Sequence, residues 1–237
     1  MNTIKENLSL VYNRINEAAK KALRNPKDIT LLAVSKGQNV EAIQEALAAG
    51  QKDFGENYLQ EALLKINTLK DQPGLNWHFI GPIQSNKTKL ITQNFDWVQS
   101  VDREKIAFLL NEHRPTNLPS LNICLQVNIS GEASKSGVKP QELLTLAQKV
   151  SALPKLCLRG IMAIPAPSED FNEQKKAFLR VFDLFEMLKV QGFKLDTLSM
   201  GMSDDLEAAI AAGSTLIRIG TAIFGPRNYQ PLSNSLL

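Results

Sequence analysis

One alternation limits the folds open to this chain more than any other feature. From about residue 30 onward, a short apolar run is followed by a turn rich in Gly, Ser or Asn and then by an amphipathic helical stretch, again and again. The apolar runs are Thr30–Val34, Lys52–Phe54, Trp77–Ile80, Trp97–Gln99, Leu121–Val127, Leu156–Met162, Thr197–Ser199 and Thr215–Ile219, which makes eight. The helical stretches between them begin near Val40, Asn57, Ser85, Asp102, Pro140, Glu169 and Ser203, several at residues that favour a helix start. Strict alternation implies a parallel sheet, because parallel neighbours need a long crossover between them. Eight such units close into an α/β fold of the (β/α)8 TIM-barrel type. The competing architecture is an open doubly wound sheet. It normally uses fewer strands and a Gly-rich first turn, which LAVSKGQ does not supply. Ahead of the repeat, Ile4, Leu8, Val11 and Ile15 stand at helical spacing, and Asn25-Pro26 ends the stretch, so an extra N-terminal helix precedes the barrel. No linker or low-complexity segment divides the chain, and residues 1–237 read as one domain with a core of about 28–228.

Composition excludes some partners. A formal charge of +3 is small for 237 residues, and no Lys/Arg run is interleaved with aromatic residues, so nucleic acid is not an expected partner. No stretch has the length of a membrane span, and MNTIKENLSLVYNRINEAAKK lacks the apolar block of a secretory signal. The expected location is therefore cytoplasmic, with no membrane partner. Cys124 and Cys157 both lie in apolar runs and read as small buried hydrophobes of a reducing compartment, with no disulfide expected.

A barrel of this type carries its chemistry at the C-terminal ends of its strands and binds phosphate at the loops after strands seven and eight. The first strand ends in Val34-Ser35-Lys36-Gly37, which puts an amine at that face. Alone, Lys36 would read as a solvated strand-end lysine. At a barrel mouth, partial desolvation favours the neutral amine, which can form an imine with an aldehyde. The loops after strands seven and eight contain Gly201, Ser203, Gly220 and Thr221. The glycines allow close backbone approach, Ser203 reads as the cap of a helix Ser203–Ala212, and the two hydroxyls can donate to a dianion. Each loop alone would be an ordinary turn; together, after strands seven and eight, they read as a phosphate cradle. Arg218 interrupts an apolar strand and so needs an acceptor. That acceptor is either an unseen carboxylate or a neutral ring nitrogen of a bound heterocycle.

The segments AVSKGQ, FGENYLQE, HFIGPIQSNK, GEASKSG, GIMAIP, SMGMSDDLEAAI and RIGTAIFG closely resemble the pyridoxal phosphate homeostasis protein family, from about residue 30 to Gly225. HFIGPIQSNK and SMGMSDD are the most specific of these. That family in turn resembles the barrel domain of alanine racemases. The resemblance implies pyridoxal 5'-phosphate (PLP) as cofactor, with no metal, held as a Schiff base on Lys36. It also implies phosphate contacts from Ser203, Gly220 and Thr221, and Arg218 facing the ring nitrogen, where a permanent cation would keep that nitrogen unprotonated and weaken carbanion chemistry. Further motif positions are Asn57, His78, Lys87, Lys135 and Met162. Asn57 is a cofactor contact or a helix cap. His78 is an inward polar side chain near the cofactor or a hydrogen-bonded core histidine. Lys87 is an anion contact or part of a solvated face. Lys135, between Ser134 and Ser136, would be a second amine that receives PLP during transfer, and Met162 a wall against the ring.

Alanine racemases add a β-domain whose partner-subunit tyrosine acts as the second acid/base. Here only PLSNSLL follows Tyr229, so efficient two-base racemisation is not expected. The expected function is a cytoplasmic PLP carrier, a monomer that stores, buffers or transfers the cofactor to apoenzymes, and not an enzyme. The alternatives are a weak PLP-dependent amino-acid racemase and a Schiff-base aldolase, both acting through Lys36.

Overall fold

The computed structural model describes residues 2–132 and 135–226. Eight parallel strands, β1 (Thr30–Val34), β2 (Asp53–Glu56), β3 (Asn76–Phe79), β4 (Trp97–Val101), β5 (Leu121–Val127), β6 (Leu156–Ala163), β7 (Thr197–Ser199) and β8 (Leu216–Ile219), pair in sequence order and close into a barrel. Closure is made by β8 pairing with β1, in the register Thr30 to Leu216, Leu32 to Arg218 and Ala33 to Ile219. The helices are α1 (Ile4–Lys21), α2 (Val40–Ala48), α3 (Leu59–Thr68), α4 (Thr88–Asn94), α5 (Glu104–His113), α6 (Leu143–Ser151), α7 (Phe171–Val190), α8 (Leu206–Ala211) and α9 (Thr221–Phe224). None of the described helices is long and apolar enough to cross a membrane.

Side-chain alternation divides the strands into two faces. Leu31, Ala33, Phe54, Phe79, Val98 and Ile161 point outward and join helix residues such as Ile43, Ala62 and Ile106 in one continuous buried cluster. Leu32, Cys124, Met162 and Leu216 are also buried but lie outside that cluster, because they alternate onto the inward face. The inward face is not purely apolar. His78, Gln99, Ser199 and Arg218 are buried with them. The leading helix begins in a capping box, Thr3 Oγ1 accepting from the Glu6 N–H at 3.2 Å and Glu6 from the Thr3 N–H at 2.8 Å, a device that contributes roughly 1 kcal/mol. It buries Leu8, Val11 and Ile15 against α2, α8 and α9, which completes the outer ring next to the closure.

Most element ends shift slightly from the sequence expectation, and one shift carries information. The second strand was expected to stop at Phe54 but continues through Gly55 and Glu56. Glycine and glutamate read as turn residues. Here Gly55 lies against Leu32, which would stand 3.1 Å from a Cβ, and the Glu56 carboxylate has buried partners. The third helix starts at Leu59 and the eighth at Leu206, later than Asn57 and Ser203, so neither of those two residues is the helix cap that the sequence suggested. The short helix α9 was not foreseen at all.

Cys124 is fully buried as expected, whereas Cys157 is exposed, which corrects the sequence reading. Cys157 pairs in register with Asn122 at the N-terminal rim, just before an irregularity in the β5–β6 ladder. Both cysteines are free. Complete burial pushes the Cys124 thiol far up, out of the reactive range. Ellman's reagent should therefore titrate one thiol in the native protein, removed by Cys157→Ser, and a second only after denaturation. Two reactive thiols in the native state would contradict this packing.

Candidate functional site

Lys36 follows β1 in a tight turn and is half-buried at the C-terminal mouth of the barrel. Its two chain neighbours are both held by α3. The Lys65 ammonium, 4% exposed, donates to the Ser35 carbonyl at 2.7 Å, to Glu56 Oε1 at 2.8 Å and to Glu61 Oε1 at 2.5 Å. Glu61 Oε1 also accepts the Gly37 N–H at 2.6 Å, and the Ser35 hydroxyl donates to Glu56 Oε1 at 2.6 Å. The peptide groups on either side of Lys36 are thus tied to one buried ion cluster, and Gly37 takes the positive φ of +71° that the turn requires. Burial pushes the Glu56 carboxyl up, and the neighbouring Lys65 opposes that rise.

The closure of β8 on β1 brings the loop after β8 to the same place. Gly220 lies against the end of β1, where a Cβ would stand 3.2 Å from the Val34 carbonyl oxygen. Thr221 begins α9 and is exposed. The neighbouring loop after β7 turns at Gly201, with φ of +98°, where a Cβ would meet Ala209 at 2.5 Å. Ser203 lies in that loop, half-buried, and its carbonyl accepts from Arg14 of α1 at 2.9 Å. Asp205 Oδ1 accepts the Met202 N–H at 2.6 Å and so shapes the turn. The α8 terminus has Asp205 at its cap position, with no side-chain cap hydrogen bond.

Beneath these loops sits Arg218, 5% exposed. Its guanidinium donates to the Ser199 hydroxyl at 2.7 Å and to the Ala163 carbonyl at 3.0 Å, both neutral acceptors. Burial lowers its pKa to about 10, with Asp205 opposing the fall, which still leaves a cation at neutral pH. Ala163 and Ser199 end β6 and β7, and Met162, which pairs in register with Ser199, is buried on the same inward face. The mouth therefore gathers elements from β1, β6, β7 and β8.

Asn57 follows β2 at the same end of the barrel. Its Oδ1 is buried and has no hydrogen-bond partner in the protein, a costly arrangement unless something else supplies a donor. The loop after β3 presses on it, since a Cβ on Gly81 would stand 2.1 Å from the Asn57 carbonyl oxygen. Both ring nitrogens of His78 have partners within the protein. The residue lies within β3, 1% exposed, with Nε2 at 3.2 Å from Asp53 Oδ1 and Nδ1 at 2.9 Å from Gln99 Nε2, which fits the hydrogen-bonded core histidine of the two sequence readings. Lys87 is half-buried in the helical turn before α4. Lys135 lies in the loop after β5 and pairs with Glu132 at 2.9 Å; its neighbour Ser134 lies outside the described residues. Sequence reasoning passed over Lys65, Glu56 and Glu61. The spacing of Glu61 and Lys65 was visible, but an i,i+4 pair on a helix ordinarily faces water.

Comparison with known proteins places the chain among close relatives. The family described as alanine racemase, N-terminal domain, matches residues 7–228. A pyridoxal phosphate homeostasis protein of Pseudomonas aeruginosa is 60% identical over 229 residues, covering 97% of this chain and 98% of the relative. One from Haemophilus influenzae is 53% identical over 234 residues, with 98% and 99% covered. Among solved structures, PipY of Synechococcus elongatus with PLP bound has a TM-score of 0.82 at 35% identity, covering 94% of this chain and 100% of that one. An alanine racemase of Clostridium difficile, at 16% identity and a TM-score of 0.74, shares the fold.

The buried cluster makes a prediction for stability. Lys65→Met removes the cation and leaves the carboxylates uncompensated, which should cost about 3–5 kcal/mol in urea unfolding at neutral pH. Losing Lys65 raises the Glu56 pKa further above its unfolded value. A raised carboxyl favours the fold below the unfolded pKa and loses that benefit as pH rises through the folded value. The deficit of the variant should therefore shrink from about pH 8 to about pH 5. A deficit that is small, or that grows on acidification, would contradict this cluster.

Proposed function

The chain belongs to the alanine racemase N-terminal domain family and, within it, to the pyridoxal phosphate homeostasis proteins; from that membership we propose that it binds PLP on Lys36 and stores, buffers or hands over the cofactor without efficient turnover. The observation that carries this reading is the meeting of three elements at the closure of the barrel: the clamped Lys36 turn, the Gly220–Thr221 loop laid against the end of β1, and the buried Arg218 beneath.

The residues present fit the cofactor. Bound there, PLP would supply an aldehyde that condenses reversibly with the Lys36 amine, releasing water, and that an incoming amine could take over from Lys36 by exchange. Everything else asked of the protein is binding and orientation. Backbone N–H groups at Gly220 and Thr221, with the Ser203 and Thr221 hydroxyls, would hold the phosphate dianion. Arg218 spends two of its five donors on Ser199 and Ala163, which leaves donors to face the ring nitrogen and keep it unprotonated. The buried Asn57 Oδ1 would find its missing donor on the cofactor. Met162 would pack against the ring. His78, whose ring nitrogens are both engaged, supports the Arg218 side of the site from below. Lys87 and Lys135 stand as accessory amines, Lys135 for transfer.

A carrier agrees with the names of the relatives, which describe homeostasis and not a reaction. It also agrees with the chemistry, because a neutral ring nitrogen weakens carbanion stabilisation, and racemisation needs an acid/base on each face of the substrate. We place this activity in the cytoplasm, in a monomer that delivers PLP to apoenzymes.

The protein incubated with PLP and desalted should retain an absorption band in the visible range. Lys36→Ala should lose that band, and Ser203→Ala combined with Thr221→Ala should weaken retention by about a hundredfold or more, the scale of two lost charge-assisted hydrogen bonds. A wild-type protein that stays colourless with added PLP would end the proposal, as would a Lys36→Ala protein that keeps the band.

A further inference from the structure

The interior of a barrel of this kind is normally packed with branched apolar side chains. Here a line of polar groups crosses it. Arg218 on β8 reaches Ser199 on β7 at 2.7 Å, Ser199 reaches Gln99 Oε1 on β4 at 2.7 Å, Gln99 Nε2 reaches His78 Nδ1 on β3 at 2.9 Å, and His78 Nε2 reaches Asp53 Oδ1 on β2 at 3.2 Å. Ser199 and Gln99 are fully buried, His78 is 1% exposed and Arg218 5%, and the side chain of Asp53 is 25% exposed. Trp97 stacks on His78 with 5.1 Å between ring centroids and 8° between planes. The Arg159 guanidinium also lies 4.8 Å from the Trp97 ring centroid and pairs with Asp196.

With Gln99 Oε1 turned to Ser199 and Nε2 to His78, the hydrogens in this line run in one direction. A guanidinium only donates, so Ser199 Oγ accepts from Arg218. The single serine hydrogen is then free for Gln99, whose Oε1 faces it and accepts it. With its oxygen committed, the Gln99 amide donates through Nε2, so His78 Nδ1 accepts. His78 therefore carries its hydrogen on Nε2 and gives it to the Asp53 carboxylate. Turning the Gln99 amide over would put the hydrogen of a neutral imidazole on Nδ1 and leave Nε2 facing the Asp53 carboxylate, two acceptors against each other. The donor-only cation at one end and the acceptor-only carboxylate at the other thus fix the orientation of the three side chains between them, and these in turn hold the guanidinium in one place.

Resting on the reading that Arg218 faces the cofactor ring nitrogen, we propose that Ser199 and Gln99 are positioning residues for Arg218, with His78 and Asp53 as the anchored end of the same directional chain. In this proposal all four act through Arg218. Their effect is to keep Arg218 aimed at the ring nitrogen, so that the nitrogen stays unprotonated.

Two measurements on the full-length protein test this. In protein labelled with ring-15N histidine, without added PLP, His78 should show the Nε2–H tautomer, its signals assigned with His113→Gln; hydrogen on Nδ1 would overturn the direction of the chain. In protein loaded with PLP labelled with 15N at the ring nitrogen, wild type should give the resonance of an unprotonated pyridine, and Arg218→Ala should move it toward the protonated position. Ser199→Ala should move it in the same direction by a smaller amount, and Ser199→Thr, which keeps the hydroxyl, should restore the wild-type position. Gln99→Met, which preserves volume, gives the same test through a second link should Ser199→Ala fail to fold. If Arg218→Ala shifts the resonance while Ser199→Ala and Gln99→Met leave it unmoved, the positioning inference is wrong and the facing role stands. If Arg218→Ala itself leaves it unmoved, the facing role fails, and the inference with it.

Discussion

The pairing of β8 with β1 is the interaction on which the rest of the structure depends. It joins the two ends of the sheet in the register Leu32 to Arg218 and Ala33 to Ile219, and so sets the residues that follow β1 beside those that follow β8. Without closure, Lys36 and Thr221 would lie on opposite edges of an open sheet. With it, a lysine from near the start of the chain and the loop near its end share one mouth. The leading helix reinforces the seam, since Asn7 of α1 donates to the Ile223 carbonyl of α9 at 2.9 Å and Arg14 chelates Glu207 of α8 while reaching the Ser203 carbonyl.

Two buried polar assemblies then refine what closure brings together, and they lie on opposite faces of the sheet. Outside it, under α3, Lys65 with Glu56 and Glu61 grips the peptide groups on either side of Lys36. Inside it, the line from Asp53 to Arg218 fixes the guanidinium. Both replace apolar packing that would stabilise a barrel at least as well, because burying charge is costly even when it is paired. Each is placed at a residue that needs a fixed direction, in one case an amine and in the other a cation. The proposed carrier role would have a use for such rigidity: a preorganised site binds without having to order itself first.

Much of this was legible in the sequence. The eight-fold alternation gave the barrel, and the rule that chemistry sits at strand ends pointed to Lys36, Ser203, Gly220 and Thr221 before any geometry was known. What escaped was whatever depends on partners far away in the chain. Gln99 and Ser199 were visible as polar strand residues, but alternation alone cannot say that they meet across the barrel interior. Lys65 was passed over, because a lysine four residues after Glu61 on a helix ordinarily faces water and nothing local reveals Glu56 beneath it. Gly55 and Glu56 read as a turn for the same reason. Asn57 and Ser203 carry side chains that cap helices well, and only the later helix starts at Leu59 and Leu206 remove them from that role. Cys157 sat in an apolar run, yet its place at the N-terminal rim exposes it.

The central claim is that the amine at the end of β1 is the one that takes the cofactor. Borohydride reduction of the PLP-loaded protein, followed by proteolysis and mass spectrometry of the peptides, tests it most directly. The account requires the mass of reduced pyridoxal phosphate on the peptide that contains Lys36. Its appearance on Lys87, Lys135 or any other lysine while the Lys36 peptide stays unmodified would contradict it.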